Sequence, residues 1–198
     1  MRGLVDRLRA KGIKFEDGLQ AVELEQIQKR YSLSFPADLV EFLSVGLPVS
    51  KNFPNWRMGI VESAERARSI EEMLRWPAEG FLFDVRRNDF WMASWGARPA
   101  SVEEAVSEAL RQVASAPKLI PLWGHRYLPA EPLEAGNPVL SVYQTDIVYY
   151  GVDLDAYFVR EFGLTTDGAQ NGARAPRRIR FWSDVIELQD QQSSANPD

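Results

Sequence analysis

With 198 residues, 45% of them hydrophobic and 26% charged, the chain has ordinary globular composition and enough length for a real core. A formal charge of −5 argues against a nucleic-acid binder, which needs a basic face, and is compatible with a basic protein partner. Cysteine is absent and histidine occurs once, which excludes disulfides, thiolate chemistry and any histidine- or cysteine-rich metal site, so no cofactor is expected.

The opening MRGLVDRLRAKGIKF is charged throughout and unlike a signal peptide. No run approaches the roughly 20 apolar residues of a membrane span, so a soluble cytoplasmic protein without membrane insertion is expected. Residues 4–11 predict a short amphipathic helix on Leu4, Val5 and Leu8, stopped by Gly12. Residues 20–31 predict a second, with Ala21, Leu24, Ile27 and Tyr31 at helical spacing. Pro36 suits the first turn of a third, whose stripe is Leu39, Phe42 and Leu43. Gly46, Pro48, Pro54 and Gly59 mark 46–61 as loop with one strand.

A fourth helix is predicted over 63–75, with Ala67, Ile70, Met73 and Leu74 inward and Pro77 ending it. Phe81–Val85 reads as a short strand that ends near Asp84. Ser101 and Glu104 have the spacing of a capping box for a helix to about Ala114, with Val102, Ala105, Val106, Ala109 and Val113 inside. Strands are predicted at 118–123, 139–143 and 146–150. Asp153 then caps a helix carrying Leu154, Tyr157, Phe158 and Phe162, which Gly163 stops. Residues 164–178 read as a mobile loop, 179–188 return to order, and the polar tail 189–198 is expected to be disordered. Helices and strands are segregated rather than alternating, so the fold class is α+β, with one domain over 1–188.

The segment Pro121–Gly151 concentrates polar residues among aromatics and turn formers, including His125, Arg126 and Asp146. An unpaired buried polar group costs about 1–3 kcal/mol, so such a segment is either a fully satisfied structural unit or the wall of a site. His125 is expected to sit at the core edge with its ring bonded to backbone or to a side chain of the same segment. Asp84, Asp89, Asp146, Asp153 and Asp155 are irregularly spaced and read as caps and turns rather than a hydrolytic pair. No phosphate-binding glycine loop or nucleophile elbow is present. Trp91, Trp95 and Arg98 lie among turn residues, where they suit a binding hot spot and a small core alike. Candidate binding residues are Trp91, Trp95, Arg98, His125, Arg126, Tyr127, Tyr143 and Asp146.

Several stretches carry a family resemblance. They are Phe35–Leu43, Trp76–Val85, Asn88 with Phe90–Trp91, Trp95–Pro99, Gly124–Pro129, Gly136–Val139 and Ser141–Ile147. Together they resemble the bacterial branch of the SUKH superfamily, the Smi/Knr-type proteins. The glycine–asparagine ending often seen after the N-terminal signature is replaced here by Ser44-Val45-Gly46-Leu47, and 164–178 looks like an insertion. The resemblance implies a curved antiparallel sheet with helices packed around it. It also implies a non-catalytic binding protein, either a toxin-neutralising immunity protein or a regulatory adaptor. The alternative is a small-ligand sensor or hydrolase-like enzyme using 121–150, which requires His125, Arg126 and Asp146 to converge on one polar pocket.

Overall fold

The N-terminal stripes form helices close to where their spacing puts them. Helix α1 (Arg2–Ala10) buries Leu4, Val5 and Leu8. Helix α2 (Ala21–Tyr31) buries Leu24 and Ile27 but leaves Ala21 exposed. Helix α3 (Ala37–Val45) buries Leu39, Phe42 and Leu43. The computed structural model describes residues 1–61, 64–165 and 174–195. Strand β1 (Phe15–Asp17) pairs antiparallel with β2 (Gly46–Pro48), and the segment read as loop also holds a short helix, α4 (Trp56–Ile60). Arg57 ties these pieces together. Its Nε donates to Glu23 at 2.7 Å, Nη1 to Glu16 at 2.9 Å and Nη2 to the Asp17 carbonyl at 3.0 Å. The Arg57 hydrogen bond holds the Glu23 carboxyl below its ordinary value.

The largest departure from expectation is at Pro77. Helix α5 (Ala64–Arg87) runs through the proline, and no strand forms at 81–85. A proline inside a helix deprives the carbonyl four residues back of its donor. That carbonyl belongs to Met73, and the Tyr127 hydroxyl donates to it at 2.9 Å. The bond is supplied from a distant part of the chain, so the helix continues. Phe81 and Val85 are buried four residues apart on one helical face, and Asp84 lies in the last turns of a helix.

Helix α6 (Val102–Ser115) starts where Ser101 accepts from the Glu104 amide at 3.3 Å. The Ser101 hydroxyl also donates to the Glu103 carboxylate, and no return bond from Glu104 is found among the described residues. Val102, expected inside, is exposed, while Ala105 and Ala109 are buried.

Strands β3 (Leu119–Trp123), β4 (Arg126–Pro129), β5 (Val139–Tyr143) and β6 (Asp146–Gly151) form one antiparallel sheet in the order β3-β4-β5-β6. Strand β4 was not expected; the two-residue connection at Gly124–His125 makes it a hairpin partner of β3. Helix α7 (Leu154–Phe162) is capped by Asp153, which accepts from the Ala156 amide at 2.9 Å, and ends at Gly163 with φ of 56°. Helix α8 (Trp182–Ala195) runs into the segment expected to be disordered. Its Gln189 reaches the β5–β6 turn, donating to the Thr145 carbonyl and accepting from the Ile147 amide, which gives this polar stretch an anchor. Residues 166–173, most of the expected loop, and 196–198 lie outside the described residues.

The four-stranded sheet carries a core on each face. One joins Leu128 and Val139 to α1, α3 and α7 through residues such as Leu8, Phe42 and Phe158. The other joins Tyr127, Leu140, Val142 and Ile147 to α5, α6 and α8 through Phe81, Ala109 and Val185. Both draw on residues before and after residue 100, so no division of the core falls there. The architecture is α+β, with eight α-helices and two open antiparallel sheets among the described residues.

Candidate binding surface

The hairpin β5–β6 turns at Gln144 and Thr145, with Gln144 at φ of 57°. Helix α5 comes close to this turn at Gly80. A Cβ there would lie 3.0 Å from Gln144 Cα, so the approach depends on the missing side chain. One helical turn later, Asp84 seats the hairpin. Its Oδ2 accepts from the Thr145 amide at 2.9 Å and the Thr145 hydroxyl at 2.6 Å, and its Oδ1 from Asn88 at 2.5 Å. The carboxylate is 5% exposed and fully engaged, as a buried charge must be.

Beyond α5 the chain folds back on itself. Asp89 takes φ of 55°, and the Arg98 guanidinium bridges from Asp89 to the Val85 carbonyl, each at 2.7 Å. The Trp91 indole donates to the Gly96 carbonyl at 2.9 Å and meets Trp95 edge to face at 5.1 Å. Trp95 in turn stacks on Phe181 at 6.3 Å. The loop is thus held by its own polar groups and by the core beneath it.

Between this loop and the hairpin lies a cleft of about 370 Å³, lined by Asp84, Asn88, Asp89, Trp91, Tyr143 and Asp146, among others. Asp84 is engaged within the protein and Asp89, though exposed, is paired with Arg98, whereas Asp146 is exposed and has no ion pair among the described residues. Tyr143, 58% exposed, stands beside the cleft with its ring 6.4 Å from that of Trp76, which is 45% exposed. Val148, on the same sheet face as Tyr143, is also uncovered. Two large rings, an apolar side chain and two exposed carboxylates, Asp89 paired with Arg98 and Asp146 without an ion pair among the described residues, therefore meet at one end of the sheet.

The structure separates the expected site residues. Trp91, Tyr143 and Asp146 line the cleft together. Trp95 and Arg98 belong to the adjoining loop, but Trp95 packs on the core and Arg98 holds the loop closed. Arg126 and Tyr127 do not form an exposed edge with Tyr143. Arg126 donates to Glu161 at 3.1 Å and Ser141 at 2.8 Å, and its guanidinium lies 3.8 Å from the Tyr150 ring centre. Tyr127 points to the opposite face and is fully buried, which pushes its hydroxyl pKa up. As neighbours on one strand they must face opposite ways.

His125 also differs from expectation. It occupies the exposed β3–β4 turn, and its ring bonds to no described residue; only its carbonyl is used, accepting from the Val142 amide at 3.0 Å. Partial desolvation, with the Arg126 charge nearby, holds the imidazole below its ordinary value. The rest of Pro121–Gly151 is a satisfied unit: buried Asn137 donates to the Pro129 and Pro132 carbonyls and accepts from Arg177.

Sequence reasoning missed Trp76, Gly80 and Asp84 as parts of this surface because all three lie on the stretch of α5 around and beyond Pro77. The signal was present. Leu74, Ala78, Phe81 and Val85 recur at helical spacing across the proline, which would have placed Trp76 on the outer face. Comparison with family models, curated proteins and solved structures returns no match.

Proposed function

We propose that the chain is a non-catalytic protein-binding module whose partner docks on the Trp76–Tyr143 pair and the acidic cleft beside it. The observation that carries this reading is the exposed aromatic pair on a backbone fixed by Asp84. Large rigid rings supply contact area at little entropic cost, and a few such residues dominate the affinity of an interface. Asp146, exposed and without an ion pair among the described residues, favours a partner with basic groups and speeds its encounter at low salt.

The SUKH-like motifs add a class of partner. Bacterial members of that superfamily are associated with immunity against polymorphic toxins, often nucleases, and a nuclease presents a basic surface suited to such a cleft. The sensor or hydrolase reading draws less from the geometry. Arg126 is engaged with Glu161 and Ser141, and the cleft takes in Asp146 without His125 or Arg126.

The test is capture of a partner from lysate, followed by titration of the purified pair. Tyr143→Ala and Trp76→Ala are expected to weaken binding at least tenfold each, which corresponds to about 1.4 kcal/mol. Asp146→Asn should chiefly slow association and flatten its salt dependence. Unchanged affinity in both aromatic variants, or turnover of a substrate by the purified protein, would overturn the reading.

A further inference from the structure

A second cavity, of about 390 Å³, lies on the other side of α5 and shares no residue with the acidic cleft. Its walls are Leu33, Leu74, Leu110, Val113, Leu119 and Trp182, with Pro77 beside them. The volume falls in the range of small-molecule sites, which run from about 300 to 1,000 Å³ and are mostly apolar with a few placed polar groups. Here the polar lining groups are two cations, Arg75 and Lys118, and Tyr31, whose hydroxyl already donates to the Gly59 carbonyl at 3.0 Å.

Among the described residues neither cation is saturated. Lys118 donates to the Ser32 carbonyl at 2.7 Å, which uses one of three N–H bonds. Arg75 makes an ion pair through Nε with Glu79 at 3.4 Å, leaving its two terminal nitrogens available. Lys118 also borders a neighbouring, more polar cavity of about 470 Å³ whose lining includes Ser32, Ser34, Ser115 and the Arg180–Glu131 ion pair, 3.9 Å apart. The apolar chamber therefore adjoins a more polar one, with Lys118 shared between them. At its mouth Leu110 stands half exposed on α6.

The wall at Pro77 offers no backbone donor. Proline has no N–H to offer a ligand or water, and the carbonyl it would have served is already bonded to Tyr127. We infer that this cavity binds a small amphipathic anion, an apolar chain on the order of eight carbons ending in a carboxylate. The chain lies against Leu74, Leu110 and Trp182, and the carboxylate meets Lys118 and Arg75. A neutral apolar molecule would fill the chamber without engaging the cations, and a cationic amphiphile would be repelled by them. The inference is independent of the partner-binding surface.

The test uses the full chain and octanoate, compared with 1-octanol and octyltrimethylammonium, by calorimetry and by tryptophan fluorescence, since Trp182 lines the site. Octanoate is expected to bind saturably with one site per chain, at least tenfold more tightly than either comparator. Lys118→Gln should weaken octanoate at least fivefold and leave octanol unchanged. Ala114→Trp, at an exposed position bordering both cavities, should abolish octanoate binding by filling the mouth. Both substitutions lie at exposed positions, and circular dichroism checks that the fold is kept. Absence of saturable octanoate binding would overturn the inference. So would equal affinity for the three amphiphiles, or unchanged octanoate binding in either variant.

Discussion

Asp84 does more for this surface than any residue that faces solvent. Replacing it with Ala leaves the Thr145 amide, the Thr145 hydroxyl and the Asn88 amide without their acceptor. A loss of about 2–3 kcal/mol is expected, because buried donors are left unsatisfied. Urea denaturation measures it, and a loss below about 0.5 kcal/mol, the range of neutral surface changes, would remove Asp84 from this role. His125 behaves in the opposite way. Exposed and without a side-chain bond, it should tolerate Ala with a change within about 0.5 kcal/mol. Its imidazole is held below the ordinary 6.5 by desolvation and by Arg126. The unfolded chain then binds the proton more readily, so the contribution is complete above pH 6.5 and lost as pH falls through the folded value. Stability of the native protein should therefore fall slightly more between pH 7 and pH 5 than that of His125→Gln. Identical pH slopes for the two proteins would contradict this.

At the scale of elements, α5 decides what the rest can do. Its passage through Pro77 brings Gly80 and Asp84 to the hairpin turn and lines the apolar cavity on the other flank. The claim that Tyr127 repairs the helix is testable by a double-mutant cycle. Tyr127→Phe should cost about 1–2 kcal/mol in the native background, where the Met73 carbonyl loses its donor. In a Pro77→Ala background the helix supplies its own N–H, and the same change should cost less by at least about 0.5 kcal/mol. Additive losses would mean that the two residues act separately. The case also shows what was legible from sequence. Helices with a local start or stop, such as α7 between Asp153 and Gly163, were readable because their signals lie within the element. The continuation of α5 depends on a hydroxyl 54 residues away, so proline chemistry read locally points to an end that tertiary structure removes. The extension of α8 depends likewise on Gln189 meeting the β5–β6 turn, a long-range contact that nothing in 189–198 announces. Trp91, Tyr143 and Asp146, singled out from sequence through their turn context, come together in one cleft. Tyr127 was misplaced because β4 went unread and, with it, the alternation that turns residue 127 inward.

For the molecule as a whole, two kinds of surface are built on one scaffold. The four-stranded sheet has a core on each face, and the proposed docking end is where Tyr143 and Val148 stay exposed beside α5. Among the described residues no helix is long and apolar enough to cross a membrane. The central claim, that a protein partner recognises the Trp76–Tyr143 end, is tested most directly by quantitative capture from lysate with three immobilised baits. These are the native protein, the Trp76→Ala/Tyr143→Ala double variant, and Ala114→Trp, which borders the two other cavities and does not line the acidic cleft. The account predicts a partner enriched on the native and Ala114→Trp baits and reduced at least tenfold on the double variant. Equal enrichment on all three baits, with the double variant correctly folded, would contradict it.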